Sequence, residues 1–374
     1  MDLTPTEDQR LIAESAEAFL GTACPIATVR RHAEQGDGFD ATLWQGLADL
    51  GWCGLRLPEA VGGLGLGWVE QVLLHEQLGR HLACVPFLES VALSTGVLQS
   101  CPAQPAIEVL WPALARGTLR LACALPPLAL PVSVRSTPAG FVLDGCWQRV
   151  GAAAQSDRLL LPARDEDGVL HLLLVFHDAP GLVCTSLPAV DGTRPCAELT
   201  ATGVCVPKAH CLVSGTAAQV VLSRARCLAA IALAGEQIGC AQAAFDRTLA
   251  YVLQRHQFEQ PIARFQAIKH RLAGLLVQLE TARSAVYGAA CLADTSPDDA
   301  TLLLHAAQAR EAATEAALAC TREAIQLHGG VGFTWEFDLH LFLRRAQVDS
   351  QSLGAPAWWC EQVAAQLLDV ELAA

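Results

Sequence analysis

Charge is scarce in this chain. Only 17% of its 374 residues are Asp, Glu, Lys or Arg, against 52% that are hydrophobic. Disorder needs the opposite balance, so a folded chain with a sizeable core is expected. Positive charge is the scarcer sign. There are 25 Lys and Arg against 38 Asp and Glu, a formal net charge of −13. A surface that tracks phosphates needs a basic footprint, so nucleic acid is not expected as a partner. One local arginine can still hold a pyrophosphate. The N-terminus, MDLTPTEDQR, lacks the basic and apolar regions of a signal peptide. Polar residues break the apolar stretches before they reach the roughly 18 residues of a membrane span. No membrane association is expected, and the expected compartment is the cytoplasm.

Cysteine is abundant, with 15 residues, but CxxC pairs are absent; the closest spacing is Cys205 to Cys211. Zinc and iron–sulfur ligation need tighter clusters, so no metal is expected. Without a secretion signal, disulfides are not expected either. The cysteines read as small hydrophobes. Tandem repeats and low-complexity tails are also missing.

The first third reads as helical. Thr4-Pro5-Thr6-Glu7 has capping-box spacing, with Pro5 at the first helical position. Further helices fit Asp40 to Leu50 and Trp68 to Arg80, separated by a glycine loop at Gly62-Gly63, and more helix runs to about Gly117. Near Leu119 the texture changes to short apolar runs punctuated by Pro, Gly and Asp: Leu119–Leu125, Phe141–Leu143, Arg158–Leu161, Leu170–Phe176 and Gly181–Leu187. That is strand-and-turn patterning, continuing to about Val213. Long helices then return. One spans Ala217 to Gln254; the next starts at Pro261 and runs to about Asp294; a third opens at Ser296-Pro297-Asp298-Asp299 and ends at the glycines Gly329, Gly330 and Gly332. Two shorter ones follow, over Asp338 to Ser350 and Ala357 to Leu372. The fold class is mainly α with a small β-domain. Its parts are an N-terminal helical domain (1–118), a middle β-domain (119–215) and a C-terminal helical bundle (216–374).

Three stretches carry a family resemblance: Pro58 to Arg80, Tyr251 to Ala273 and Gln326 to Ala346. Together with the domain order, they resemble the acyl-CoA dehydrogenases over nearly the whole chain. The resemblance implies FAD as cofactor, an acyl-CoA thioester as substrate in fatty acid or steroid side-chain metabolism, and an oligomer. It places Arg255, His256, Gln257, Phe258, Phe265 and Gln266 against the FAD of a neighbouring subunit. It also lays Gln326, Leu327, His328, Gly329 and Gly330 along the adenosine half. Taken alone, Arg255 reads as a solvated or helix-capping arginine, Phe265 as core, and the glycine pair as a helix stop. Glu76 and Arg80 read as an i,i+4 ion pair, not as chemistry.

The departures from the family are as informative. Its members abstract an α-proton with a glutamate while FAD takes the β-hydride. Registering on Arg344 places Leu353 at the usual base position. The alternative position, on the first long helix of the bundle, holds Ala229, with Ala230 beside it. None of these accepts a proton. Ala355 and Pro356 replace polar residues that contact cofactor in the family. The flavin-wrapping stretch is shortened, at Leu121 to Val134. The segment Gly145 to Gly151 lacks the hydroxyl that the family sets against the flavin ring. Two carboxylates stand nearby in sequence, Asp349 and Glu236. Each is a candidate displaced base, or else a solvated and a packed carboxylate respectively.

Three readings stay open. The chain is the base-lacking subunit of a heteromeric, α2β2-type enzyme, completing a related partner's FAD site. Or it is a self-sufficient flavoenzyme: an oxidase, a monooxygenase, or a dehydrogenase with a displaced base. Or it is a flavin-free interaction protein on the same fold.

Overall fold

The computed structural model describes residues 4–125 and 132–372. The first helix, α1 (Glu7–Ala23), is capped by Thr6, whose hydroxyl accepts from the Gln9 backbone while the Gln9 side chain returns the bond. The capping box therefore sits two residues later than the Thr4–Glu7 spacing indicates. Both registers fit the pattern, and Thr6 leaves Pro5 outside the helix. Helices α2 (Ile26–Gln35), α3 (Ala41–Asp49, capped by Asp40) and α4 (Trp68–Arg80) follow. After α4 come a π-helical stretch, Phe87–Ser94, and the short helices α5 (Thr95–Ser100), α6 (Pro105–Glu108) and α7 (Trp111–Ala115).

The next elements are strands β1 (Leu121–Cys123), β2 (Ser133–Thr137), β3 (Gly140–Gly151), β4 (Arg158–Arg164), β5 (Leu170–Phe176), β6 (Leu182–Leu187), β7 (Cys196–Pro207) and β8 (Cys211–Ser214). They form one eight-stranded sheet in the order β6-β7-β3-β2-β4-β5-β8, with β1 parallel to β4. Of the shortened Leu121–Val134 stretch, residues 126–131 lie outside the described residues. A helical series completes the chain: α8 (Thr216–Gln254), α9 (Gln266–Asp294), α10 (Asp299–His328), α11 (Leu339–Gln351) and α12 (Pro356–Leu372). The fold is thus mainly helical with a β-sheet middle domain, in the order that the sequence pattern indicates.

The chain divides into two compact units. One comprises Met1–Glu34, Trp68–Ala83 and Ala230–Ala374. Its centre is a close crossing of α4 and α8. A Cβ on Gly79 would lie 1.9 Å from the Glu236 carbonyl oxygen, and one on Gly239 would lie 1.8 Å from the Glu76 carbonyl oxygen. Only glycine lets the two backbones approach this closely. Around the crossing, Arg283 of α9 binds Glu76, and Tyr287 donates to the Glu76 carboxylate at 2.7 Å. Arg80 pairs with Asp246 at 2.8 Å. Glu76 and Arg80 therefore do not form the i,i+4 pair that their spacing indicates. Each is drawn to a partner on another helix; burial strengthens the Glu76 pair, whereas Arg80 and Asp246 meet nearer the surface.

The other unit, Gln35–Gly67 and Cys84–Ala229, contains the sheet. Its core gathers Leu143, Trp147, Leu159, Leu161, Leu173, Leu199 and Val204 from its strands. Trp147 is fully buried and donates its indole N–H to the Pro162 carbonyl at 2.9 Å. Burial raises the thiols of Cys53 and Cys123, both to about 12. These cysteines pack as inert small side chains. The glycine loop before α4 is a tight turn: a Cβ on Gly63 would lie 2.0 Å from the Leu57 carbonyl oxygen.

Among the described residues one helix, α8, is long and apolar enough to cross a membrane, although polar residues interrupt it; 67% of its apolar window is buried inside the protein. Its alanine face packs in the core.

Candidate cofactor site

The site begins where α8 stops. The Arg255 amide closes the last turn on the Tyr251 carbonyl at 2.8 Å. The chain then makes a two-stranded hairpin, β9 (His256–Gln257) against β10 (Gln260–Pro261). Its two loop residues, Phe258 and Glu259, both have positive φ, +53° and +61°. A two-residue hairpin loop demands this conformation, but Asn-Gly or Asp-Gly normally supply it. Holding Phe and Glu there costs on the order of 1–2 kcal/mol per residue. The strain leaves the Phe258 ring 85% exposed, edge-on to Phe265 at 6.1 Å. Pro261 belongs to this hairpin, so it does not open the next helix. That helix, α9, starts five residues later at Gln266, because Pro261 fixes φ equally well in the extended chain.

The second wall is the end of α10. Gly329 takes φ +62° with ψ −141°, a backbone conformation open only to glycine. A Cβ built on Gly329 or Gly330 would meet nothing within 4 Å, so open space lies above both. Inside this wall His328 stacks on Tyr251, ring centroids 4.0 Å apart, and its Nδ1 bonds the Ala324 carbonyl at 2.8 Å. Burial pushes the imidazole below its ordinary range. Phe337 packs edge-on to both rings.

Between the two walls lies an open cavity of about 450 Å³, lined by Tyr251, Arg255, Gln257, Ile262, the run Gln326 to Val331, and Thr334. The structure thus brings together Arg255, Gln257, Gln326, Leu327, His328, Gly329 and Gly330. Four further sequence candidates lie outside the lining. His256 is exposed, bonded to the Gln254 carbonyl at 2.9 Å; Phe258 and Phe265 pair with each other; Gln266 opens α9. Tyr251, Ile262, Val331 and Thr334 line the cavity without standing out in the sequence. Tyr251 carried a signal, because it lies one turn before Arg255 on the same helix face.

The cavity's chemistry is that of an anion and aromatic site. Among the described residues no hydrogen bond or ion pair engages the Arg255 guanidinium, so it is not spent on capping α8. The Gln257 and Gln326 amides are exposed beside it. A free planar cation, two amides and a glycine shelf fit a dinucleotide's pyrophosphate and its flanking sugar.

The positions where a proton acceptor is sought lie elsewhere. Leu353 sits in the left-handed region at φ +60°, followed by Gly354 at φ +122°. Ala229 is fully buried on α8. Glu236, 4% exposed, accepts from Arg345 at 2.8 Å and lies 3.6 Å from His75 Nδ1. Asp349 is fully buried on α11, and its backbone carbonyl is held by Arg310. Neither carboxylate lines the cavity.

Two family models match the chain: the acyl-CoA dehydrogenase N-terminal domain over residues 6–104 and the acyl-CoA dehydrogenase C-terminal domain over residues 208–368. The acyl-CoA dehydrogenase IpdE2 of Mycobacterium tuberculosis (strain ATCC 25618 / H37Rv) is 32% identical over 95% of this chain and 95% of its own. The chain belongs to the acyl-CoA dehydrogenase family. Two solved structures are similar throughout. The ChsE4-ChsE5 complex from Mycobacterium tuberculosis aligns with TM-score 0.86 and 27% identity, covering 98% of this chain and 99% of that one. A variant of the Tcur3481-Tcur3483 steroid ACAD aligns with TM-score 0.87 and 27% identity at the same coverage.

Proposed function

We propose that this acyl-CoA dehydrogenase-family chain is the subunit of a heteromeric enzyme that supplies no base of its own and completes the FAD site of a related partner. One observation carries the reading. The cavity of Arg255, Gln257 and Gln326–Gly330 is assembled and open, while Leu353 and Ala229 occupy the two base positions. A leucine and an alanine cannot take a proton. Trp147, in the segment that lacks the hydroxyl the family sets against the flavin ring, is committed to the β core by its bond to Pro162.

In the assembly, FAD supplies hydride acceptance from the β-carbon of an acyl-CoA thioester. Arg255 binds the pyrophosphate through its fork of donors. The Gly329–Gly330 shelf lets the adenosine half lie against backbone. Tyr251 and His328 hold the two walls together, with the imidazole kept neutral by burial. The partner contributes the carboxylate. Relatives that are a complex and a steroid ACAD support two further elements of the reading, a hetero-oligomer and a bulky acyl group.

The test is turnover of the co-purified complex with acyl-CoA. Replacing the partner's glutamate with glutamine is expected to abolish turnover. Glu236→Gln and Asp349→Asn in this chain are expected to lower it no more than their loss of folded protein explains. Turnover by the chain alone, lost in Asp349→Asn or Glu236→Gln, would instead establish a self-sufficient enzyme with a displaced base. A chain that takes up no flavin with any family partner would be an interaction protein.

A further inference from the structure

We propose that Ser214, His171 and Asp165, on the sheet, form a second, nucleophilic site that accepts acyl groups from activated esters or thioesters. Strands β5 and β8 pair with His171 opposite Ser214. Asp165 lies in the turn before β5. Its Oδ1 accepts from the Asp167 and Val169 amides, at 3.1 and 2.8 Å, which fixes the carboxyl group. Its Oδ2 meets His171 Nε2 at 2.9 Å. That bond holds the Asp165 carboxyl below its usual range, so it is ionised near neutrality. An ionised carboxylate only accepts, so the imidazole proton sits on Nε2. The Nδ1 lone pair then faces the Ser214 hydroxyl at 2.8 Å. The ring is backed by Phe141 at 5.2 Å. Nucleophile, base and orienting acid are thus in line, with Ser214 exposed to solvent.

The chain beyond Ser214 completes the arrangement. Gly215 turns at φ +70°, and the 39-residue α8 begins at Thr216. The first amides bonded back to Gly215 are those of Ala218 and Gln219. The Thr216 and Ala217 amides are helix-initial donors without an intrahelical acceptor, and both residues are exposed. The first turn carries no acidic residue. In the proposed site these amides and the positive end of the helix stabilise a developing oxyanion on the Ser214 adduct. A cation does not explain the cluster. Asp165 and Cys211 approach opposite nitrogens of His171 and cannot converge on one ion.

In the reaction, Ser214 Oγ bonds to the acyl carbon while its proton moves to His171 Nδ1. The carbon–sulfur or carbon–oxygen bond breaks, and the leaving thiolate or alkoxide takes that proton. Water then attacks the acyl-serine, its proton again passing to Nδ1, which returns it to Ser214. The net change is ester or thioester plus water to acid plus thiol or alcohol.

The test uses the full chain with p-nitrophenyl acetate and, separately, a fluorophosphonate, with adducts located by peptide mass spectrometry. Ser214 is expected to be labelled about 100-fold faster than other exposed serines, the scale of one positioned general base. Labelling is expected to vanish in Ser214→Ala, to fall about as far in His171→Gln, and to survive Cys211→Ala. Ser214 is exposed, so Ser214→Ala should melt as the wild type does. Three results would overturn the proposal: no adduct on Ser214, an adduct unchanged in His171→Gln, or an adduct carried by Cys211, whose Sγ lies 3.3 Å from Ser214 Oγ.

Discussion

Tyr251 and His328 stack face to face with ring centroids 4.0 Å apart, and the tyrosine hydroxyl donates to the His328 carbonyl at 3.4 Å. The pair joins the end of α8 to the end of α10 and backs the cavity that Arg255 and Gly329–Gly330 line. The stack makes a pH dependence. Burial lowers the His328 imidazole below its ordinary value of about 6.5. The folded chain favours the neutral ring, so the unfolded chain binds more protons below that pH. Stability from this residue is complete above about pH 6.5 and is lost as pH falls toward the depressed folded value. His81, His210 and His340 are shifted the same way, all by burial first. Thermal denaturation between about pH 7.5 and 5 should show a falling midpoint, and His328→Phe should flatten part of that fall.

Arg255 is exposed and engages no other side chain among the described residues, so Arg255→Gln should leave the melting temperature unchanged. A charged hydrogen bond is worth about 1.5–3 kcal/mol. Flavin affinity of the assembled complex should therefore fall by roughly 10- to 100-fold, measured by fluorescence of released FAD during dilution.

The crossing of α4 and α8 gives the sharpest stability contrast. Gly239→Ala would drive a Cβ to 1.8 Å from the Glu76 carbonyl, where neither backbone can yield. A loss beyond about 4 kcal/mol, or no soluble protein, is expected. Gly274→Ala on α9 meets nothing within 4 Å and should stabilise by about 0.5–1 kcal/mol. Chemical denaturation of the two variants side by side checks both signs.

Glu236 and Arg345 form a buried pair, 6% and 1% exposed at their side chains. Removing one partner strands the other charge. Arg345→Met should cost about 3–5 kcal/mol in urea unfolding, and Glu236→Gln a similar amount.

Much of the fold is legible in the sequence, for physical reasons that differ by element. Trp68–Arg80 and Leu170–Phe176 are found at the residues their patterns indicate; Gly67 opens the first, and Gly168 and Asp178 flank the second. The long strand Cys196–Pro207 is harder to delimit. Its alternating positions hold Ala, Thr and Cys, and Gly203 interrupts it with a positive φ. The Phe258–Glu259 loop is not legible at all, since neither residue announces a positive φ; the hairpin imposes it. Arg255 and the Gly329–Gly330 shelf stand out by motif spacing. That the guanidinium stands free, and that space is open above the glycines, emerges only in three dimensions. From sequence, Glu236 reads either as a base or as a packed carboxylate. Its pairing with Arg345, 109 residues away, lies beyond what local sequence can encode.

In the proposed role this chain lends an arm to another subunit's FAD and builds no flavin site alone. The most direct measurement is flavin per chain from the visible spectrum, for the protein purified alone and after co-expression with a base-containing acyl-CoA dehydrogenase subunit. Little or no flavin alone, and one FAD per pair after co-expression, is the expected result. One FAD bound per chain in the protein purified alone would contradict it.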